Sequence, residues 1–432
     1  MTPFTPLLPA AALLAAAATA IAPPPQTAAT AATVAAAAGA ATDDAVSPYV
    51  VVLKDTAPRA PARALAAEAA ESGDEVGPVY EAALDGFAVR TTAARAAALA
   101  ADPRVASVEP DTVFHITGAE TDSRTGGGTG TGTGTGTDAG SAVTALPPQS
   151  PAPWSLDRID QRELPLDGSY TYATKAEGVT VYILDTGVNT RHQEFGGRAR
   201  AGHNAVFLEG SRDCNGHGTH VAGTVGGATY GVAKGVSLVS VKVADCRGDG
   251  RLSAMLRGLD WVVKDAGRAP DTPAVANMSM GGSRSRALDA AVLRIVSSGI
   301  TFVAAAGNDG RNACGGSPAS VPQAVTVGAT DAADRRAPFS NHGSCVDLFA
   351  PGVAVTSARK DSTTGTARSS GTSMAAPHVA GAAALLLAGG TARTPAQVSE
   401  ALVRGAVPDR ITGLPAGTPN RLLHVPTTAR PS

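Results

Sequence analysis

The sequence predicts an α/β protein in which a mostly parallel sheet, flanked by helices, follows a small α+β module of the ferredoxin-like type. Three observations support this class. From Pro153 onward, apolar runs of strand length alternate with helical patterns, as in parallel-sheet domains. Residues 48–117 instead show the order βαββαβ, which places two helices on one face of an open sheet. Residues 118–146 consist mainly of Gly, Thr, Ser and Asp, which bury too little apolar surface to fold and therefore form a linker.

Residues 1–22 are predicted to be a signal peptide, which implies that the protein is secreted. The run from Leu7 to Ala22 is apolar and uncharged, but it contains Pro9 and falls short of the ~20 residues that a membrane span needs. The usual basic segment is missing, since the first Lys or Arg is Lys54. A disordered Ala-rich leader is therefore the alternative, and residues 23–47 are predicted to be such a leader.

The N-terminal module begins with a strand from Tyr49 to Lys54, followed by an Ala-rich helix. Two strands are predicted around Val79 and at Phe87 to Val89, and then a second helix from Thr92 to Ala101. The closing strand is predicted to run from Val105 to Phe114. The pattern alone fits any small ferredoxin-like domain.

Length and charge restrict the partners. A chain of 432 residues has room for two or three domains and a sizeable core. Its net charge of −2 provides no basic footprint for nucleic acid, so we expect no nucleic-acid partner. We also expect a monomer, with no membrane partner once the signal peptide is removed.

A serine precedes an apolar helix predicted from Ala375 to Leu387. It is Ser373, in the stretch Gly-Thr-Ser-Met-Ala-Ala-Pro-His, and Pro377 is placed in the first helical turn, where a missing N–H costs nothing. The positive end of the helix favours negative charge at this serine. A serine hydroxyl is a weak nucleophile, so catalysis also requires a base and an orienting carboxylate.

Asp185 and His217 supply those two groups. Asp185 ends the apolar run that starts at Val179, and His217 stands between two glycines before a helical pattern. Alone, the aspartate would indicate a turn and the histidine a core or capping residue. Together with Ser373 they predict a general base whose tautomer is fixed by a carboxylate.

The chain order Asp, His, Ser is the order of subtilisin, and all three stretches resemble the motifs of the subtilase serine proteases. The resemblance is to the secreted proteinase K and aqualysin type and covers about residues 147–426, within an expected protease domain at residues 147–432. It implies an endopeptidase that hydrolyses polypeptides with broad specificity through an acyl-enzyme. It also implies that residues 48–117 are an inhibitor propeptide, so that the precursor is a zymogen. A peptide-binding pseudoprotease is the alternative, but it would have lost one of the catalytic residues.

The family pattern assigns the base to His217 rather than to His220, and no acidic residue beside this pair completes a zinc motif. Asn308 follows the predicted strand from Ile300 to Ala306 and matches the asparagine that stabilises the oxyanion, together with the N–H of Ser373. An ordinary turn is the alternative for Asn308.

Substrates are expected to bind by their backbone as an added strand. The stretch with Ser279, Met280 and Gly281 resembles one wall of the family's substrate cleft. The stretch with Gly248, Gly250 and Leu252 resembles the other wall. Leu252, Met255 and Met280 match the pocket for the fourth residue before the cleaved bond, with core packing as the alternative. The pocket for the residue directly before the bond is expected to be deep and apolar, with Ala305, Gly307 and Gly316, where relatives carry tyrosine instead of Gly316.

Four cysteines in an exported chain allow three pairings, and the residues alone do not choose among them. The resemblance favours Cys214 with Cys246 and Cys314 with Cys345. A reduced Cys214 near His217 is the alternative.

Structural calcium is also implied. Oxygen ligands cluster near the start of the protease domain at positions that resemble a calcium site of the family: Asp157, Asp160, Gln161, Asp167 and Ser169, the last of which is asparagine in relatives. A second site is implied at Asp347 with the carbonyl groups of Pro322 and Ala324. A solvated acidic turn is the alternative for the first cluster.

Overall fold

The computed structural model describes residues 45–54, 62–120 and 146–425, which belong to one compact unit. The predicted signal peptide, the leader up to residue 44 and residues 121–145 of the linker lie outside the described residues. Within the described ranges, no helix is long and apolar enough to cross a membrane.

The N-terminal module is a four-stranded antiparallel sheet with two helices, as the βαββαβ pattern predicts. Its elements are β1 (Ser47–Leu53), α1 (Ala62–Glu71), β2 (Glu75–Tyr80), β3 (Gly86–Thr91), α2 (Ala93–Ala100) and β4 (Val105–Pro110). The strand order is β2-β3-β1-β4. Thr92 starts α2, because its hydroxyl accepts a hydrogen bond from the N–H of Arg95.

Alternate residues of β1 face opposite sides of this sheet. Val51 and Leu53 pack with residues of α1 and α2 in one apolar cluster. Val50 and Val52 belong to a second cluster, which includes residues of the C-terminal domain. The module therefore covers one face of its sheet with its own helices and the other with the C-terminal domain.

The closing strand is shorter than predicted. β4 ends at Pro110, and Val113–Ile116 forms a separate strand, β5, which belongs to a different sheet. Asp111 lies between the two strands, and its carboxylate accepts hydrogen bonds from the N–H and hydroxyl of Ser253 at 2.8 and 2.7 Å. An apolar run cannot reveal this change of partner, because both segments are strands.

The C-terminal domain contains the remaining elements. Its strands are β6 (Ala119–Glu120), β7 (Thr180–Asp185), β8 (Ala199–Asn204), β9 (Ser237–Lys242), β10 (Asp249–Arg251), β11 (Ala274–Met278), β12 (Met280–Ser283), β13 (Thr301–Ala305), β14 (Gly316–Ser317), β15 (Val325–Thr330), β16 (Leu348–Pro351), β17 (Val355–Ala358), β18 (Thr366–Ser370), β19 (Val407–Pro408) and β20 (Arg421–Leu422). Its helices are α3 (Trp154–Asp160), α4 (His217–Gly226), α5 (Leu252–Ala266), α6 (Arg286–Ser297), α7 (Thr372–Ala388) and α8 (Pro395–Gly405), with short 3₁₀ turns at Gln193–Phe195 and Ala313–Gly315.

Nine of these strands form one sheet in the order β19-β20-β16-β15-β13-β11-β7-β9-β8. Every neighbouring pair is parallel except β19 with β20. The predicted α/β class with a mostly parallel sheet is therefore confirmed. The carboxyl ends of parallel strands meet at one edge, which brings Asp185 at the end of β7 close to Asn308 after β13.

Helix α7 is buried along nearly its whole length. It begins at Thr372, three residues before the predicted start, so Ser373 lies in its first turn and Pro377 in its interior. Pro377 has no N–H to donate to the carbonyl of Ser373 four residues earlier. The hydroxyl of Ser279 donates to that carbonyl instead, at 3.1 Å.

Carboxylates join the module to α5 and α6. Glu109 accepts hydrogen bonds from the hydroxyl of Ser285 and the N–H of Ala287 at the start of α6, at 2.7 and 3.1 Å. Asp260 of α5 accepts from three successive N–H groups of residues 81–83, at 2.9, 2.5 and 3.1 Å. Glu109 lies at a helix N-terminus, where negative charge is favourable. These contacts fix the module beside the cleft described next.

Candidate active site

Three side chains meet at the carboxyl edge of the sheet. Asp185 ends β7, His217 begins α4 and Ser373 lies in the first turn of α7. Asp185 Oδ1 lies 2.7 Å from His217 Nδ1. All three residues are buried, with 0%, 2% and 0% of their surface exposed. A proton held on Nδ1 by the carboxylate leaves the lone pair of the ring on Nε2, as a general base requires.

The other ring nitrogen of His217 lies beside the peptide bond between Thr117 and Gly118. A Cβ atom placed on Gly118 would lie 3.3 Å from His217 Nε2 and 3.3 Å from Met374 Sδ. Ser373 Oγ lies 2.5 Å from Thr117 Oγ1 and donates a hydrogen bond to the carbonyl of Ser279 at 3.1 Å. The base and the serine therefore both face residues 117–118 of the same chain.

Two donors point at the carbonyl oxygen of Thr117. One is Asn308 Nδ2, and the other is the N–H of Ser373 at 3.4 Å. The orientation of the Asn308 amide is fixed, since its Oδ1 accepts hydrogen bonds from the N–H and the hydroxyl of Thr372, both at 2.9 Å. The sequence predicted Asn308 as an oxyanion donor, and the structure places it where such a donor would act.

Thr372 and Asn341 support this donor and were not identified from the sequence. The side chain of Asn341 donates to the carbonyl of Ala306 at 2.9 Å and accepts from the N–H groups of Asp309 and Arg311 at 3.1 and 2.9 Å. Gly307 must remain glycine here, because its φ is +101° and a Cβ would lie 2.4 Å from the Asn341 amide. No local pattern predicts Asn341, since it lies more than thirty residues beyond the loop it holds.

Asp213 was also missed, although it holds the loop in front of His217. Its carboxylate accepts hydrogen bonds from Thr186 Oγ1, Asn215 N, Gly216 N, and the N–H and hydroxyl of Thr219, between 2.6 and 3.1 Å. These bonds tie the segment after β7 to the start of α4. The only signal in the sequence is an aspartate shortly before Asn-Gly, which indicates a turn.

Strand β5 lies between the two stretches predicted as the walls of the substrate cleft. It pairs antiparallel with β10 on one side and with β12 on the other. The N–H of Ile116 donates to the carbonyl of Gly248 at 3.0 Å, and the N–H of Thr117 donates to that of Ser279 at 3.2 Å. The two predicted walls, which contain Gly248, Gly250, Ser279, Met280 and Gly281, therefore both contact this segment through their backbones.

Phe114 is the fourth residue before the Thr117–Gly118 bond and is fully buried. It belongs to the same apolar cluster as Leu252, Met255 and Met280. A Cβ on Gly282 would lie 2.6 Å from the phenyl ring, so only glycine leaves room for it. The residues predicted for this pocket are thus brought together around one aromatic side chain.

A cavity of about 480 Å³ lies next to Thr117 and includes the predicted Ala305, Gly307 and Gly316. Its lining is more polar than expected, since Asn308, Asp309, Arg311, Asn312 and Asn341 contribute to it. A Cβ on Gly316 would lie only 2.7 Å from the carbonyl oxygen of Gly282. A side chain at position 316 therefore requires β12 and β14 to move apart.

His220 does not share a site with His217. It is buried, and its Nε2 donates to the carbonyl of Val355 at 3.0 Å. Burial lowers the pKa of His220 to about 4, so the ring stays neutral. The cysteines pair as Cys214 with Cys246 and Cys314 with Cys345, which is the pairing that the resemblance implies. Cys214 near His217 is therefore not a reduced thiol.

The first set of predicted calcium ligands lies at the end of α3 and in the loop after it. Asp160 Oδ1 is buried and has no partner among the described residues, while its Oδ2 accepts from the N–H of Thr171 at 2.6 Å. Burial, with the nearby charges of Asp167 and Asp157, raises the pKa of Asp160 to about 6. Burial also raises the pKa of Asp157. An orphaned carboxylate oxygen beside two more carboxylates is a donor set that suits calcium.

The remaining ligands of this set bond to one another. Gln161 Oε1 accepts from the N–H of Asp167 at 3.3 Å, and the hydroxyl of Ser169 donates to Asp167 Oδ1 at 2.7 Å. The carboxylates of Asp157, Asp160 and Asp167 do not all lie within 4.8 Å of one another; among the described residues such a group of acidic, His or Cys side chains is Glu209 with Cys214 and Cys246, whose sulfurs form a disulfide. The loop must therefore tighten to surround an ion.

The second predicted set comes from two segments: Pro322 and Ala324 lie at or just before the start of β15, and Asp347 directly precedes β16. Asp347 Oδ2 accepts a hydrogen bond from the N–H of Thr326 at 2.8 Å, and burial raises the pKa of Asp347 to about 6. The half-buried carboxylate of Asp347 and the two carbonyl groups would offer only oxygen ligands.

Two family models match the chain. One describes the subtilase family and matches residues 176–424. The other describes peptidase inhibitor I9 and matches residues 42–117, the N-terminal module together with β5.

Curated relatives agree with these models. The "Extracellular serine proteinase" of Thermus sp. (strain Rt41A) is 49% identical over 355 residues, which is 82% of this chain and 78% of that protein. "Alkaline serine exoprotease A" of Vibrio alginolyticus is 44% identical over 356 residues, 82% of this chain and 61% of that protein. The crystal structure of a cold adapted subtilisin-like serine proteinase is 49% identical, covers 66% of this chain and 100% of its own, and has a TM-score of 0.61. With its three buried side chains and an inhibitor module in front of them, this chain belongs to the subtilase family.

Proposed function

We propose that this secreted serine endopeptidase, made as a zymogen, cleaves peptide bonds with Ser373 as nucleophile, His217 as base and Asp185 as the group that orients the base. The observation that carries the proposal is the position of Thr117. Its carbonyl faces Asn308 Nδ2 and the N–H of Ser373 at once, as the carbonyl of a substrate must.

The proposed reaction has two halves. Ser373 Oγ turns from the carbonyl of Ser279 towards His217, loses its proton to Nε2 and attacks the substrate carbonyl, whose oxygen becomes negative beside Asn308. His217 then donates this proton to the leaving amine, the position that Gly118 holds in the precursor. In the second half, water gives a proton to His217 Nε2 and attacks the acyl carbonyl. His217 then returns this proton to Ser373 Oγ, which frees the acid product and restores the serine.

The N-terminal module is proposed to inhibit by occupying the cleft as a substrate does. β5 fills both backbone walls, and Phe114 fills the pocket for the fourth residue. After cleavage the module can remain bound through its carboxylate contacts with α5 and α6. The same contacts therefore position the module for self-cleavage and then hold it as an inhibitor.

We predict that the first maturation cut falls between Thr117 and Gly118. The hydrogen bonds that Asn308 Nδ2 and the N–H of Ser373 donate to the carbonyl of Thr117 favour this bond. N-terminal sequencing and intact mass of purified refolded precursor, sampled early, should give a new chain that starts at Gly118. A first cut inside residues 121–145 would contradict this register.

We also predict a preference for Phe, Tyr or Leu over Ala directly before the cleaved bond. A Cβ on Gly281 would lie 3.7 Å from Thr117 Cγ2, and both residues line the cavity of about 480 Å³, which a larger side chain than threonine could fill. Burying a phenyl or leucyl side chain there contributes about 1.5 to 3 kcal/mol, or about 10- to 100-fold in kcat/KM. Matched peptides that differ only at this residue test the preference in the wild-type enzyme. Equal kcat/KM values for Phe and Ala would show that the cavity does not receive the side chain.

Subtilases generally bind calcium, and we propose two structural sites in this chain. Asp157, Asp160, Gln161, Asp167 and Ser169 would hold one ion. Asp347 would hold the other with the carbonyl groups of Pro322 and Ala324. The orphaned Asp160 Oδ1 and the raised pKa of Asp160 support the first site, and the raised pKa of Asp347 supports the second.

Chelation is predicted to shorten the half-life at elevated temperature and to leave initial rates similar, because these ligands lie outside the catalytic groups. The effect should grow as pH rises. A carboxyl whose folded pKa is raised to about 6 contributes stability below its unfolded pKa and loses it as pH rises through 6, unless a cation offsets the charge. Half-lives with and without chelator at pH 5 and pH 8 measure this, and Asp160→Asn should weaken the chelator effect. An identical half-life with and without chelator at pH 8 would rule out both sites.

A further inference from the structure

A second cavity lies beside the loop in front of His217 that Asp213 holds. It measures about 310 Å³ and is enclosed by residues 188–191, residues 212–213 and residues 360–363. Three of the side chains that line it are cations: Arg191, Arg212 and Lys360. Both arginines are exposed and the lysine is half-buried, so a ligand that enters from solvent can reach them.

The charge of these cations is not neutralised by the two acids of the cavity. Asp361 is held by Arg359 through contacts of 2.6 and 2.8 Å. Asp213 is 6% exposed, and its carboxylate is occupied by the five hydrogen bonds at the start of α4. Among the described residues, none forms an ion pair with the three cations. The cavity therefore carries a net positive charge.

The walls of this cavity are fixed to one another. Asn189 Nδ2 donates to the carbonyl groups of Lys360 and Ser362 at 2.9 and 3.0 Å. The N–H of Gln193 donates to the carbonyl of Thr363 at 2.8 Å. The loop that carries Lys360 is thus held against the loop that carries Arg191.

The loop that carries Lys360 joins β17 to β18. Strand β18 pairs with the segment of the chain that directly follows the proposed cleavage site. β6 pairs antiparallel with β18, with Ala119 opposite Ser370 and Glu120 opposite Ser369. These are the second and third residues after the proposed cut. A substrate strand that continues in this register runs towards Thr366, with its fourth and fifth residues opposite Arg368 and Ala367. At about 3.3 Å per residue it reaches the loop of the cavity within one or two residues more.

The chain's own cleavage segment has matching charge. After Gly118 it reads Ala-Glu-Thr-Asp, with acids at the third and fifth positions after the bond, Glu120 and Asp122. No basic residue occurs in the segment before Arg124.

We propose that Arg191, Arg212 and Lys360 form a subsite for carboxylates on the leaving side of the substrate, which favours polypeptides with Asp or Glu at the fifth to seventh positions after the cleaved bond. The proposal rests on the cleavage register proposed above. Because the cations are largely exposed, salt should weaken the preference.

Internally quenched peptides test this subsite. They share one sequence before the cut and carry Glu and Asp, Gln and Asn, or Lys at the fifth to seventh positions after it. We expect kcat/KM to be about three- to tenfold higher for the acidic than for the neutral peptide at low ionic strength, a size typical of a few exposed charge pairs. This ratio should fall towards one in 1 M salt, and it should fall likewise in the triple variant Arg191→Gln, Arg212→Gln, Lys360→Gln.

A matched control removes the same number of charges elsewhere. Arg393, Arg404 and Arg410 are exposed residues of the C-terminal part, and their replacement by Gln should leave the ratio unchanged. A ratio near one in the wild type, or an acidic preference that persists in the triple variant, would overturn the subsite. If the neutral peptide is not cleaved at all, the proposed endopeptidase chemistry is refuted. If the acidic and neutral peptides are cleaved with equal kcat/KM, only the subsite is refuted.

Discussion

Ser373→Ala is expected to leave the purified precursor uncut and to lower kcat on peptides by about 10⁶-fold, the order of magnitude that removal of this nucleophile causes in subtilisin. The hydroxyl is the atom that forms the acyl bond, and it lies 2.5 Å from Thr117 Oγ1, beside the bond to be cut. The fold should tolerate the change, because this hydroxyl bonds to Thr117 Oγ1 and the carbonyl of Ser279 and, within the part of the chain that the structure describes, joins no other structural element. The measurements are intact mass of the precursor over time and covalent labelling by a serine-directed phosphonate, which should disappear.

Ser298→Ala is the matched control, since this serine is exposed at the end of α6 and its hydroxyl bonds only to the carbonyl of Arg294. It should mature and take the label like the wild type. Maturation of isolated Ser373→Ala precursor at Thr117–Gly118 would mean that a different protease makes the cut. Retained labelling would mean that a different serine is the nucleophile.

The residues of the site that could be predicted from the sequence are those with local signatures. Asp185 ends a buried strand, His217 stands between glycines, and Ser373 precedes an apolar helix, so a short stretch of sequence identifies each. The alternation of strands and helices likewise predicted the parallel sheet. In each case the information lies within about ten residues of the feature.

The parts that could not be predicted depend on partners distant in the chain. The strand from Val105 breaks at Pro110 because β5 pairs with β10 and β12, more than 130 residues away in the sequence. Pro377 lies inside α7 because Ser279, far along the chain, bonds the carbonyl that the proline leaves open. Asn341 holds the loop of Asn308 from more than thirty residues further along the chain. Periodicity reports which face of an element is apolar, and it carries no information about which distant side chain satisfies a given polar group.

Asn308→Ala is expected to fold and to lose about 10² to 10³ in kcat with little change in KM, the magnitude found when a comparable donor is removed in subtilisin. The donor is aimed by Thr372, whose N–H and hydroxyl both bond Asn308 Oδ1, so the Nδ2 group faces the carbonyl before any charge develops on it. Such a preoriented donor acts most strongly on the negative oxygen of the transition state.

Self-cleavage of the Asn308→Ala precursor separates this effect from substrate binding. In the precursor the backbone of residues 113–117 is already paired with both walls of the cleft, so weakened binding cannot slow a first-order reaction within one chain. The first-order maturation rate should therefore fall by the same 10² to 10³ as kcat on peptides. Asn308→Asp keeps the acceptor for Thr372 but replaces the donor with a negative charge, and it should be slower still. If Asn308→Ala matures within about tenfold of the wild-type rate, the transition-state charge is stabilised by the N–H of Ser373 and not by Asn308.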